Sequence, residues 1–252
     1  MLVSARSFAE YRAMFALDDR DLAQRVLDCP AGAASFVAEA GQRGVDAVAV
    51  DLQYAEHREE LGRLVERETE FKRELLVKET AGNVWSWYTD PDDMIRRWKA
   101  SARAFRADIV ARPERYLAGS LPRLPFADDS FDLVLSSHLL FSYGNRLGED
   151  FHRAGLRELA RVARREVRIF PLVVYDTGAR YEGLGALREE LAELGVPSRV
   201  ERVAYEFQPG ADEMLVLSTA GYRAPARTAP GTAETVDPVR WRHRENGTRT
   251  PG

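Results

Sequence analysis

The sequence is poor in cysteine, lysine and long apolar runs, and each shortage excludes a class of protein. Only one of its 252 residues is cysteine. Cys29 therefore has no internal disulfide partner, which fits a reducing compartment, and a cytoplasmic location is expected. No uncharged apolar run approaches the roughly 18 residues that a transmembrane helix needs. The opening stretch MLVSARSFAEYRAMFALDD meets acidic residues too early for a signal peptide. Four scattered histidines (His57, His138, His152, His243) and one cysteine give no metal-ligand spacing, so no metal is expected. Neither a G-x-S-x-G elbow nor a Walker sequence occurs. Lys72, Lys78 and Lys99 are the only lysines among 36 basic residues; with abundant alanine, that bias reads as high-GC codon usage. A net charge of -4 leaves no electrostatic footprint for nucleic acid, and no membrane partner is expected either.

What is present is ordinary for a soluble globular chain: 45% apolar and 30% charged residues. Short β-like runs alternate with helical patterns, the signature of an α/β layer fold. A first helix, Ser7 to Leu17, spaces Tyr11, Met14 and Phe15 along one face. The run Arg25–Cys29, the small-residue turn Pro30–Ala34, a helix to Gln42 and the run Val45–Asp51 make one βαβ unit. Residues 55–112 then interrupt the rhythm with two helical stretches, Glu56 to about Leu76 and Pro91 to Ala111, separated by the aromatic cluster Trp85-Ser86-Trp87-Tyr88. This insertion is expected over one edge of the sheet, as a lid. Strand-like runs follow at Tyr116–Ala118, Phe131–Leu135 and Glu166–Phe170, with a helix from about Gly148 to Ala163 and another from Arg180 to Leu194. Two last runs, Arg199–Phe207 and Glu213–Ser218, are too close for a crossover and should pair antiparallel. The expectation is a seven-stranded, mostly parallel sheet with an antiparallel last strand. It occupies residues 1–222, with residues 1–20 as an N-terminal lid helix and 223–252 as a disordered, Pro/Arg/Thr-rich tail.

The first βαβ unit carries most of the chemistry. In open α/β sheets ligands sit beyond the carboxyl ends of the strands, where strand order reverses. Asp51 ends the second strand, where an acid can hold ribose hydroxyls. Asp28 ends the first strand just before the turn, a place ill suited to pyrophosphate but suited to an ammonium group. Read alone, Asp28 and Gly32 could equally be a plain strand-to-helix turn.

Asp28-x-x-x-Gly32 followed by Val50-Asp51 resembles the first motif and ribose acid of the class I S-adenosylmethionine-dependent methyltransferases. Gly119 to Phe126, followed by Asp129-Ser130-Phe131-Asp132-Leu133-Val134, is similar to that family's adenine loop and fourth strand. Glu158-Leu159-Ala160-Arg161-Val162 is similar to its helix before strand five. The matches fall in family order over about residues 22–175. The resemblance implies a Rossmann-like class I methyltransferase fold and S-adenosylmethionine as methyl donor. The residues it implies around that donor are Tyr11, Asp28, Pro30, Gly32, Asp51, Leu52, Ser120, Leu121 and Ser137. Pro30 and Ala34 depart from the glycine-rich turn, and Ser120 stands where an Asp is usual.

His138, Tyr143 and Asn145, after strand four, and Tyr175, after strand five, are the candidates to face the reacting centre. Tyrosine faces stabilise a sulfonium, and His138 could act as a base, although each could also merely pack or cap. The implied activity is methyl transfer to a small-molecule acceptor, in specialised metabolism, by a monomer or homodimer. Two alternatives stand beside it. One is a lyase of the same fold that cyclises the cofactor to a small-ring amino acid and methylthioadenosine, and the other is a non-catalytic binding module.

Overall fold

The computed structural model describes residues 5–79 and 82–224, and side chains between 70 and 79 are not considered. The expected tail therefore lies outside the described residues, apart from Arg223 and Ala224. Seven strands form one sheet: β1 Val26–Asp28, β2 Ala47–Asp51, β3 Tyr116–Ala118, β4 Phe131–Ser137, β5 Ala163–Phe170, β6 Ser198–Arg202 and β7 Glu213–Ser218. Their order is β3-β2-β1-β4-β5-β7-β6. Strands β1 to β5 pair in parallel, and β7 runs antiparallel to both β5 and β6. The expected mostly parallel sheet with a reversed last strand is the one formed.

Alternation along each strand divides the core into two layers. On one side Val26, Ala47, Ala49, Leu133, Leu135, Phe170 and Val216 meet α1 (Phe8–Met14), α3 (Phe36–Gln42) and α5 (Pro91–Ala111). On the other, Leu27, Val50, Val134, Val167, Ile169 and Leu215 meet α6 (Glu149–Val162) and α7 (Leu184–Glu193). Burial of a whole Leu, Val or Phe side chain contributes about 1.5–3 kcal/mol, so these layers hold the strands in register.

The insertion consists of α4 (Arg58–Glu79) and α5. Arg106, late in α5, bonds Glu66 of α4 at 2.7 Å and ties the two helices together. Phe105 and Ile109 on α5 pack with Tyr54 and with Tyr116 of the edge strand β3, which sets α5 against that edge of the sheet. Asp90 caps α5 through the Asp93 amide at 2.7 Å, with Pro91 in its first turn.

Several boundaries differ from the sequence reading. Helix α1 stops at Met14 because Ala16 takes φ +48°, and Asp18 starts a separate short helix α2, Asp19–Leu22. Strand β6 ends at Arg202 rather than running to Phe207. Tyr205 and Phe207 turn out of the sheet; Tyr205 packs tilted on Trp87, and Phe207 meets Trp85 and Tyr88 edge to face. Helix α6 passes directly into β5 at Ala163, whose backbone is already extended. Among the described residues no helix is long and apolar enough to cross a membrane.

Candidate functional site

Strand order proceeds in opposite directions from the β1/β4 boundary, β1-β2-β3 to one side and β4-β5 to the other, and the carboxyl ends of these parallel strands lie on one edge there. They deliver Asp28, Asp51 and Ser137. Between β1 and α3 the chain makes a tight turn in which Gly32 adopts φ +55°, a left-handed conformation that favours glycine. The Cys29–Pro30 peptide is cis.

Asp51 organises this turn. One carboxylate oxygen accepts the Gly32 N–H at 2.9 Å and the other the Gln53 N–H at 2.9 Å. Gln53 lies in a single 3-10 turn, Leu52–Ala55, from which the Tyr54 hydroxyl donates to the Gly32 carbonyl at 2.7 Å. Ala31 N–H bonds the Val50 carbonyl at 3.0 Å. The turn after β1 is thus fixed to the end of β2. Gly119, after β3, bonds the Asp51 carbonyl at 3.2 Å and starts the loop bearing Ser120 and Leu121. Ser120 is exposed and Leu52 about half exposed, whereas Leu121 points into the second core layer. Glu158 on α6 pins the same loop by accepting the Leu124 N–H at 2.6 Å and is itself held by Arg161 at 2.8 Å. The Glu158…Arg161 spacing therefore serves the loop across from it.

Asp28 is 1% exposed. Its Oδ1 accepts the Tyr11 hydroxyl at 3.1 Å, and its Oδ2 is buried with no hydrogen-bond partner. Burial lifts its carboxyl well above the usual carboxylate range; the Tyr11 bond opposes this and the Asp51 charge adds to it. Asp51 is raised too, by burial, against its two backbone bonds. No basic side chain among the described residues acts on either acid. The turn thus holds two buried acids with no counter-cation beside them among the described residues, an arrangement whose charge a cation would offset. Cys29 lies beside them, and burial with these negative neighbours pushes its thiol well up, so it stays protonated and packs rather than reacts.

Helix α1 roofs this floor. Ser7 and Glu10 form a capping box, while Glu10 also receives Arg6 at 3.1 Å and the Tyr88 hydroxyl. Arg6 in turn reaches Tyr205 and stacks over Trp98 at 5.1 Å, and Trp98 Nε1 donates to Tyr88 at 3.1 Å. One buried network thus joins the N-terminal helix, the aromatic cluster of the insertion, the start of α5 and the β6–β7 connection. The sequence reading missed Arg6, Glu10 and Tyr205. The Ser7-x-x-Glu10 capping pattern was the available signal for the second.

His138 follows β4 with φ +51°, a left-handed conformation uncommon for a non-glycine residue. Its Nδ1 lies 2.6 Å from Ser137 Oγ, and Phe170 packs edge-on against the ring. Burial, with the Arg6 charge adding, holds the imidazole well below its ordinary pKa. Tyr11, Asp28, Gly32, Asp51, Ser137 and His138 are therefore brought together. Asn145 and Tyr175 lie exposed at the rim, where Asn145 and Arg146 bond Asp176 at 3.1 and 2.9 Å. Tyr143 sits under Arg146 at 5.7 Å. His152, on α6, bonds the carbonyls of Gly148 and Leu140 at 2.9 and 3.0 Å and so anchors this loop from beneath. Among the described residues no group of His, Cys, Asp and Glu could hold a metal ion. A separate pocket of about 330 Å³, lined by Tyr54, Glu56, His57, Arg58, Val110 and Pro113, opens beyond the 3-10 turn.

With this geometry in view, residues 89–170 match a family model described as a methyltransferase domain. That stretch runs from the end of the aromatic cluster to the end of β5 and includes the adenine-loop resemblance and Glu158–Val162. An uncharacterized protein of Methanocaldococcus jannaschii is 29% identical over 84% of this chain and 93% of its own length. Among solved structures, the magnesium protoporphyrin IX methyltransferase of Synechocystis PCC 6803, solved with bound SAH, is 14% identical over 84% of this chain and 79% of that one, with a TM-score of 0.44. A TehB-like SAM-dependent methyltransferase from Corynebacterium glutamicum is 18% identical over 83% and 86%, also with a TM-score of 0.44.

Proposed function

From a chain that carries the methyltransferase-domain pattern over residues 89–170 on a Rossmann-like sheet of methyltransferase topology, we propose that it transfers the methyl group of S-adenosylmethionine to a small-molecule acceptor. The observation that carries this reading is the unpartnered Oδ2 of Asp28, buried beside a second acid with no basic residue acting on either. That vacancy for a hydrogen-bond donor fits the ammonium of the methionyl arm, and Asp51, with Leu52 and Ser120 exposed beside it, fits the ribose and the adenine edge. Pro30 and Gly32 shape the turn between them, and Leu121 backs the loop from the core side. When bound, the cofactor supplies a methyl group activated by its sulfonium.

The chain's own part is to bind and align. Asp28 and Asp51 fix the donor, α1 excludes water above it, and the rim residues Tyr143, Asn145 and Tyr175 bound the space left for the acceptor. Alignment of two reactants is worth up to roughly 7–11 kcal/mol of barrier. His138, neutral at pH 7, takes up a proton where the acceptor must lose one. The insertion 55–112 acts as the lid that closes this space.

Incubation with methyl-labelled S-adenosylmethionine and a pool of amine, hydroxyl and carboxylate metabolites tests the reaction. Label must move to an acceptor, with S-adenosylhomocysteine as co-product. Methylthioadenosine formed without any acceptor would instead identify cyclisation. Asp51→Ala is expected to weaken cofactor binding at least about tenfold, since each hydrogen bond to a charged group is worth about 1.5–3 kcal/mol. An unchanged dissociation constant by calorimetry would misplace the site.

A further inference from the structure

The cofactor reading puts an ammonium on Asp28, yet the fold leaves it no open path there. Asp28 and Asp51 are each 1% exposed, as are Cys29 and Tyr11, and the unpartnered Oδ2 of Asp28 is shut off from solvent. An ammonium is no smaller than water, so an oxygen that water cannot touch is closed to it too. Part of the enclosure has to move before a ligand of nucleoside size can reach this oxygen.

The floor is not that part. Gly32, Ala31 and Tyr54 tie the turn after β1 to the end of β2, and both strands lie inside the sheet. Helix α1 is attached differently. Its Tyr11 hydroxyl bonds Asp28 at 3.1 Å, and the Tyr11 ring lies on Phe36 at 4.8 Å. Ser35 N–H donates to the Arg6 carbonyl at 2.8 Å, and Glu39 accepts the Phe8 N–H at 3.1 Å. On its outer side Glu10 receives the Tyr88 hydroxyl and Arg6 reaches Tyr205. At the end of the helix Ala16 takes φ +48°, uncommon for a residue other than glycine. Just there Arg168 of β5 bonds the Phe15 carbonyl at 2.8 Å and Asp21 at 2.9 Å. The seven-residue helix is thus pinned to the sheet at one end and held along its length by a few side chains. It is a cover with a pivot.

We propose that helix α1 is a gate, which swings about Phe15–Ala16 to admit the cofactor, with the Arg6–Glu10–Tyr88–Tyr205 cluster as its latch. This rests on the reading of the turn as a cofactor site. The latch residues bond one another and Trp98, whereas Asp28 and Asp51 bond Tyr11 and the turn backbone. The latch can therefore close again over a bound ligand, with Tyr11 on Oδ1 and the ammonium on Oδ2. A latch shared by the empty and the occupied state slows entry and exit alike. It leaves the dissociation constant almost unchanged.

Stopped-flow tryptophan fluorescence, with Trp87 and Trp98 beside the latch, follows S-adenosylhomocysteine binding to the full chain. The observed rate should level off as ligand rises, because opening limits it. Tyr88→Phe and Tyr205→Phe keep the rings and each remove one latch hydroxyl. Both should raise the plateau and the dissociation rate by about two- to tenfold, the worth of one ordinary hydrogen bond, at a nearly constant dissociation constant. Should one variant fail to fold, the other tests the same latch. Hydrogen exchange identifies the moving part: amides of residues 8–15 should exchange faster than those of β1 and slow when ligand binds, since seven residues do not stay helical once released. Rates that rise linearly with ligand and match wild type in the variants, or exchange in α1 as slow as in β1, overturn the gate and leave the cofactor reading intact. No binding at all overturns both.

Discussion

A carboxyl that burial keeps protonated destabilises the folded chain once solution pH would ionise it. Between the ordinary and the raised pKa of Asp28, the native state binds more protons than the unfolded one, so stability falls as pH rises through that window. Asp28→Asn removes this titration while keeping an acceptor for Tyr11. In the cofactor-free protein we expect the variant to unfold at a higher temperature than wild type at neutral pH. The difference should shrink to nothing below about pH 3, where Asp28 is protonated in the folded and the unfolded chain alike, and scanning calorimetry across pH measures it. The same variant should bind S-adenosylmethionine more weakly. Gly119 poses a different constraint: a Cβ there would lie 2.9 Å from both Pro125 Cδ and Val50 Cγ2. A proline ring and a β-branched side chain cannot swing aside. Gly119→Ala should therefore cost about 1–3 kcal/mol by overpacking, read by urea denaturation, and shift the loop that carries Ser120.

Among the elements, helix α1 depends on a buried ion pair more than on its own propensity, since seven residues are too few to be helical alone. Glu10→Ala leaves the Arg6 guanidinium buried without its carboxylate. It is expected to cost about 3–5 kcal/mol and to make residues 5–17 sensitive to limited proteolysis at temperatures where wild type resists. The sequence showed α5 to the residue because its start signal, Asp90-Pro91, is local. It also showed β2, β4 and β7, whose Val/Leu-rich runs leave no helical option. It did not show where β6 ends, because Tyr205 and Phe207 continue the strand-like pattern. What draws them out of the sheet is an aromatic surface on Trp85, Trp87 and Tyr88, more than a hundred residues earlier. The site followed the same rule. Asp28, Gly32 and Asp51 were legible as a cluster because one βαβ unit holds them; a lid helix over residues 1–20 bearing Tyr11 was also expected, while Arg6, Glu10 and Tyr205 were not, since only tertiary contacts bring them together.

For the whole molecule, the cofactor reading makes a quantitative demand. A ligand bound only by the folded state adds RT ln(1 + [L]/Kd), about 2.7 kcal/mol at a hundredfold excess over Kd. For a chain with this many ordered residues that corresponds to a rise of roughly 5–10 °C in Tm. Thermal denaturation with and without S-adenosylmethionine checks it, and Asp51→Ala, with binding at least about tenfold weaker, should abolish at least about half of the rise.

The network under helix α1 also fixes when the molecule becomes complete. Arg6 and Tyr205 bond each other across 199 positions of chain, and at roughly 5–20 residues per second that interval is about 10–40 s of translation. During that time the emerging chain holds an arginine, a glutamate and a set of aromatic rings whose shared enclosure does not yet exist. The strands of the βαβ unit can pair early, but the chamber above them closes only when the β6–β7 connection clears the ribosome. A half-made copy thus presents the acidic turn of the βαβ unit without the roof that covers it in the finished chain.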